Sequence, residues 1–291
     1  MSTYKEVNDY RIARPGIGLS LLGCVFLFCL IVASLLIGML SKIISRPEAA
    51  VRIGTVVQDF MVFIIPAIAT AMVASRLPAR LLAVDRWPGW RPVIWTLLTM
   101  GISIPAMNVI IEWNQNLHLP ASMAAFEEQM RAMEDAAAAS TEMLLGGSGA
   151  GSIIVSVLIV GVLAGFSEEL FFRGALQRLL GMASRNKHIA VWLTAFVFSA
   201  VHFQFFGFVP RMLLGAFFGY LLWWSGSLWL PVIAHVFNNS LVVISEYAQA
   251  GHGGSFDIDA VGTSSVILLV VSVVLTGCGI WTVKESLSAR R

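Results

Sequence analysis

Charge is what this sequence has least of. Asp, Glu, Lys and Arg make up 12% of its 291 residues, about half the share found in soluble globular domains. Even a domain of 300 residues leaves roughly a quarter of its unfolded surface in water, and that surface needs more polar cover than this chain supplies. A water-soluble domain is excluded. Neither sign of charge dominates: 19 basic residues face 17 acidic ones, for a net charge of +2. A nucleic-acid binder with a basic face is excluded by the same numbers. Cysteine is nearly absent as well. Cys24, Cys29 and Cys278 lie inside apolar runs with no CxxC spacing, which argues against a disulfide framework or zinc knuckle and for inert buried thiols. No internal repeat is visible.

What is present is apolar mass. The residue types AVILMFWYC account for 57% of the chain, with 18 Phe and 9 Trp, and mean hydropathy is +0.81. A transmembrane helix needs about 20 mostly apolar residues, and eight windows meet or approach that standard: 16–41, 54–75, 92–111, 152–172, 189–206, 209–224, 228–247 and 264–283. Lipid offers no partner to unpaired backbone groups, so these windows read as helices. The expected fold is all-α, a polytopic bundle of about eight transmembrane helices forming one integral-membrane domain over 1–291. The stretch Gly16 to Leu40 is longer than a signal-peptide core of roughly 7–15 residues and reads as a retained first span. Pro210 suits a helix start, and Trp223, Trp224 and Trp229 suit an interfacial belt.

With the N-terminus in the cytoplasm, thirteen of the nineteen Lys and Arg fall in inside segments. Lys42, Arg46, Arg52, Arg131 and Arg211 fall outside, and Arg173 lies within a span. The positive-inside rule then predicts a multi-pass protein of the plasma (inner) membrane with both termini cytoplasmic. The segment 112–151 is the one sizeable polar insertion. Met123, Phe126, Met130 and Met133 recur in it at helical spacing among Glu127, Glu128, Glu134 and Asp135. It is expected to be an amphipathic helix at the external interface, followed by the Gly-rich linker 146–149.

Ionisable groups inside spans cost about 2.5–3.5 kcal/mol each at a helix centre, so their positions are informative. Glu168, Glu169 and Arg173 lie on the fourth window, His202 on the fifth, and His235, Asn238 and Asn239 on the seventh. Glu169 and Arg173 are i, i+4 neighbours with the acid first, the favoured order for a pair. Glu168 is rotated about 100° away and left without a local cation, which suits it to proton exchange. His202 shares a helical face with Phe198, and His235 with Asn239. A carboxylate and an imidazole can polarise water, while imidazole and carboxamide N–H groups can stabilise an oxyanion. Gln58 and Asp59 read instead as a helix-end pair near the outer interface. Structural pairing of the polar groups, without chemistry, is the plainer alternative.

The order Glu168-Glu169-x-x-x-Arg173, Phe198-x-x-x-His202, His235-x-x-x-Asn239 resembles the motif set of the CPBP family, the CAAX prenyl protease type II or Rce1-like intramembrane endopeptidases. The resemblance covers roughly 150–245, the expected catalytic core. It implies an eight-helix bundle and a glutamate-type endopeptidase without a cofactor. It also implies roles: Glu168 as general base with His202 activating water, His235 and Asn239 as oxyanion hole, and Glu169, Arg173 and Phe198 in support. The partners it implies are the lipid bilayer and a membrane-associated peptide or lipidated protein tail. Two other readings stand beside it. One is a zinc protease using Glu168, His202 and His235 as ligands, although no HExxH occurs. The other is a transporter or scaffold, although the repeats of many transporters are missing. The window boundaries leave His202 further toward the outside than a site shared with Glu168 allows, unless the fifth span bends.

Overall fold

The computed structural model describes residues 15–146, 149–249, 261–263 and 265–288. The basic residues of both extreme termini and the middle of the Gly-rich linker lie outside the described residues. The described chain forms ten helices: α1 Pro15–Ile43, α2 Pro47–Ala74, α3 Pro78–Leu81, α4 Trp90–Gln115, α5 Ala124–Leu145, α6 Gly151–Ser184, α7 Lys187–Ala200, α8 Phe208–Ser225, α9 Trp229–Tyr247 and α10 Val266–Ser288. Short 3₁₀ turns stand at Ala121–Met123 and Phe205–Gly207.

Among the described residues six helical segments are long and apolar enough to cross a membrane: α1, α2, α4, α6, α8 with its preceding turn, and α10. The protein is an all-α polytopic membrane protein, with six such segments where the sequence windows point to about eight. The other two windows are helical but differ in kind. The fifth window runs through an apolar turn, so α7 stops at Ala200 after 14 residues. α9 has 19 residues but carries His235, Asn238, Asn239 and Glu246, which lower its hydropathy. Two boundaries also move. α2 begins at Pro47, whose missing N–H is harmless in a first turn, so Asp59 sits mid-helix and not at an end. α6 runs on to Ser184, 34 residues or about 50 Å, so Glu168 lies near its middle and not near its end, where the window 152–172 leaves it.

Two larger apolar clusters hold the bundle, beside a small one of Val191, Ala195 and Ala216 between α7 and α8. One joins α1, α2 and α6 through residues such as Leu22, Phe63, Phe171 and Phe172. The other joins α4, α8, α9 and α10 through Met100, Phe218, Leu230 and Val283. In lipid no hydrophobic effect draws helices together, so close packing of small residues and interhelical hydrogen bonds must do it. Gly161 and Gly165 face α9 at such a crossing. A Cβ on Gly165 would sit 3.2 Å from the Val236 backbone nitrogen, and one on Gly161 2.6 Å from Ser240 Oγ. On its other side α6 meets α8 in two rungs. Arg173 Nη2 donates to Gly215 O and Gln177 Nε2 to Gly219 O, each at 2.9 Å. Because α6 is pressed between α8 and α9, the residues after Gly165 arrive beside His235.

α6 is not uniformly α-helical. It widens into π turns at Val157–Ala164 and Leu170–Gln177, leaving Gly165–Glu169 as an α segment between them. α2 widens likewise at Asp59–Ile64. Such bulges frequently mark functional sites. α4 is interrupted near Pro105, where Ser272 Oγ donates to Ile102 O and accepts from Ala106 N, restoring bonds that lipid could not. Arg52 on α2 fastens the insertion: it donates to Leu144 O and Gly146 O at the end of α5 and to Ser152 Oγ at the start of α6. Those carbonyls are among the orphans every helix C-terminus leaves.

Candidate active site

Glu169 and Arg173 are both fully buried, and Arg173 Nη1 donates to Glu169 Oε1 at 2.6 Å. The guanidinium lies 4.4 Å from the centre of the Phe198 ring and 5.5 Å from that of Phe218, a cation–π setting that takes over part of its lost hydration. Glu169 Oε1 also accepts from His235 Nδ1 at 2.8 Å. The imidazole is held further by Phe218, tilted at 5.1 Å, and by the edge of Phe198 at 5.8 Å. With Nδ1 committed to Glu169, the other nitrogen, Nε2, is turned to Glu168, whose Oε2 lies 3.8 Å away. Glu168 Oε2 is buried and has no hydrogen-bond partner.

His202 reaches the same place by a backbone device. α7 ends at Ala200, and a turn follows in which Phe203 takes the left-handed conformation, φ +54°. A bulky residue rarely adopts that region and pays roughly 1–2 kcal/mol for it. The turn carries His202 back over the end of α7, where its Nδ1 lies 2.7 Å from Phe198 O. A carbonyl only accepts, so Nδ1 carries the hydrogen and Nε2 of the neutral ring keeps its lone pair. The depth mismatch left by the sequence windows disappears, because His202 stands in a turn and not on a longer helix.

These groups line a cavity of about 370 Å³. Glu168, His202, Arg211, His235, Asn238 and Asn239 form most of its polar part. Met100, Ile104, Met107 and Ile111, spaced along one face of α4 with Ser103 and Asn108 among them, form a mostly apolar wall. Asn239 gives one amide hydrogen to Val160 O at 3.1 Å and accepts from Asn238 Nδ2 at 3.3 Å, so one donor of its carboxamide remains for a ligand. Arg173, Glu169 and Phe198 are buried behind the polar part; of these only Phe198 also lines the cavity.

Residues 150–241 match the family described as type II CAAX prenyl endopeptidase, Rce1-like. This segment belongs to the Rce1-like family. The chain is also 29% identical over 86 residues to the uncharacterized protein YpbD of Bacillus subtilis (strain 168), covering 28% of this chain and 41% of that protein. It thus spans about two fifths of the length of that curated relative. No solved structure matches it.

The Rce1-like segment holds all seven residues singled out by the motifs, and the cavity brings five of them, Glu168, Phe198, His202, His235 and Asn239, to one surface. The α4 wall comes from outside it. Among the described residues no group of three or more His, Cys, Asp or Glu is disposed to hold a metal ion. Glu168, His202 and His235 are not disposed as such a group, which disfavours the zinc alternative.

Two polar residues gain importance from the structure. Asp59 is buried, not at an outer interface: Ser167 Oγ donates to its Oδ1 at 3.2 Å, its Oδ2 has no partner, and Glu168 acts on it electrostatically. Arg211 is not a loop residue. It lies in the first turn of α8 and lines the cavity. The signal for Asp59 was present in the sequence as a carboxylate within an apolar window, but a window starting at 54 placed it near an end.

Proposed function

We propose that this protein is an intramembrane endopeptidase of the glutamate type, cleaving a peptide bond of a membrane-associated peptide or lipidated protein tail. The observation that carries the reading is the convergence of Glu168, His202, His235 and Asn239 on one cavity within an Rce1-like segment. Glu168 and His202 Nε2 hold and deprotonate a water, and the water attacks the scissile carbonyl. The developing oxyanion is met by Asn239 Nδ2 and His235 Nε2. Because His235 Nδ1 already donates to Glu169, Nε2 donates only while the ring carries both protons. Glu168, 3.8 Å away, then passes the water's proton to the leaving amine. Glu169 and Arg173 hold the His235 ring and touch no substrate. No cofactor enters this scheme.

In the same reading α7 and α9 complete an eight-helix membrane bundle around the site, in the plasma membrane with both termini cytoplasmic. The distribution of basic residues supports that orientation. Segment 150–245 is the catalytic core, and 112–151 is an external insertion whose helix packs on the 205–207 turn, where Glu134 Oε2 accepts from Phe206 N at 3.2 Å.

The test compares membrane proteomes of cells carrying the unmodified protein, Glu168→Gln and His202→Ala. Both variants are expected to fold with melting temperatures close to that of the parent and to lose about 10²–10⁴-fold in cleavage rate, so that a precursor accumulates. Unchanged processing in both variants, or failure of both to fold, would overturn the reading.

A further inference from the structure

Two arginines on neighbouring helices are treated very differently. Arg173 is sealed against Glu169, Gly215 O and two aromatic rings. Arg211 is half-buried, faces the cavity, and among the described residues has no carboxylate within ion-pairing distance, 4.0 Å. Its hydrogen bonds go to one residue, Gln204: Nη2 to Oε1 at 2.6 Å and Nη1 to O at 3.4 Å. Glu168 and Glu134 act on it only from beyond pairing distance. The placement opposes local electrostatics too. Arg211 is in the first turn of α8, the positive end of the helix dipole, where a cation is unfavourable. It also lies within a segment apolar enough to cross a membrane, where a charge is costly unless paired or used. The fold nonetheless makes room for it. A Cβ on Gly207 would stand 3.3 Å from Nη2, so the guanidinium rests close against a glycine.

A cation held at such a cost, open to the cavity that holds Glu168 and His202, has no carboxylate in contact with it among the described residues. Resting on the peptidase reading above, we propose that Arg211 binds a carboxylate of the peptide substrate. The planar guanidinium has five donors, and the two bonds to Gln204 fix its plane while leaving others directed elsewhere. A paired fork on a carboxylate is the geometry this side chain forms best. The α4 wall of Met100, Ile104 and Met107 then receives the apolar body of the same peptide. The carboxylate comes either from the free end of the chain or from an acidic side chain.

Binding separates these sources without requiring turnover. Protein carrying Glu168→Gln, purified in detergent, is titrated with three fluorescent forms of the apolar peptide Leu-Ile-Val-Met: the free acid, the C-terminal amide, and an amide with one internal Glu. The free acid is expected to bind about tenfold or more tightly than the amide, as a charged hydrogen-bond pair should. Arg211→Gln added to this protein should erase the preference, and Arg211→Lys should restore part of it. Recovery of tight binding by the internal-Glu amide alone would assign the acidic side chain as the source. A purely structural role for Arg211 would weaken all three peptides together and leave their ratios unchanged. Equal binding of the three to protein that retains Arg211, binding of none, or a preference that survives Arg211→Gln would overturn the proposal. Turnover of such peptides by the parent protein without a carboxylate preference removes this site but keeps the peptidase; a preference without turnover does the reverse.

Discussion

Among the described residues two Glu–Arg ion pairs form at i, i+4 spacing, and they belong to different worlds. Glu127 and Arg131 on α5 are 2.7 Å apart, and Glu169 and Arg173 on α6 are 2.6 Å apart. Each pair is i, i+4 with the acid first. The α5 side chains are 13% and 39% exposed, whereas the α6 side chains are both 0% exposed. Spacing permits each pair and says nothing about what it is worth; Glu48 and Arg52 have the same spacing on α2, yet Arg52 bonds Leu144 O, Gly146 O and Ser152 Oγ. Water screens the first, while the second is shut away from solvent and carries His235 on its carboxylate. Surface pairs contribute about 0.2–1 kcal/mol. Removing one member of a buried pair leaves an uncompensated charge and costs about 3–5 kcal/mol.

The largest effect follows from that difference. Arg173→Ala is expected to destabilise the protein by about 3–5 kcal/mol, leaving Glu169 buried beside His235 with its main partner gone. Thermal or denaturant unfolding in detergent, set beside Arg131→Ala, measures it. If the two alanine variants lose equal stability, burial is not what separates the pairs.

The sequence makes the α6 pair legible because polar groups are conspicuous in an apolar run. Glu168, Glu169, His202, His235 and Asn239 could all be singled out on that ground, and so could the all-α membrane class. The route by which they meet could not. Residues 189–206 read as one continuous apolar stretch, and nothing in the composition announces that Phe203 turns left-handed and ends the helix early. Arg211 follows Pro210 at a window edge, so it passes for an interfacial charge, although the same proline opens α8 and carries it into the cavity. The π turns flanking Gly165–Glu169 leave no periodic trace in so uniformly apolar a segment. Hydropathy reports how deep a residue sits and not which way its helix is cut or turned.

A middle-sized effect tests how the buried pair is brought to His235. Gly165 lets α6 approach α9, with space for a Cβ only 3.2 Å from Val236 N. Gly165→Leu should cost about 1–3 kcal/mol through overpacking. Because Glu169 and His235 are held at 2.8 Å across that crossing, activity should fall further than stability does. Cleavage assayed at a temperature where the variant remains folded separates the two losses. Full activity in the folded variant would mean that the crossing does not set the site.

The smallest effect belongs to the α5 pair, and pH is the way to read it. Glu127 Oε2 accepts from Leu119 N at 2.7 Å, and its Oε1 is contacted by Arg131 and by His118 Nδ1 at 3.0 Å. Foremost the Leu119 N–H, then Arg131 and His118, hold its carboxyl well below the ordinary 4.5, at about 2. A carboxyl whose pKa is lower in the folded state binds its proton more readily once unfolded. Its contribution is complete above about pH 4.5 and fades as pH falls toward about 2. Melting temperature should therefore fall more steeply across that interval in the parent than in Glu127→Gln, which has no carboxyl to protonate. Arg131→Ala should reduce the difference only in part, since the backbone N–H of Leu119 remains. If the two profiles run parallel between those pH values, the network around Glu127 does not stabilise the insertion. The contrast between the two Glu–Arg pairs would then be between a buried pair that matters and a surface pair worth nothing measurable.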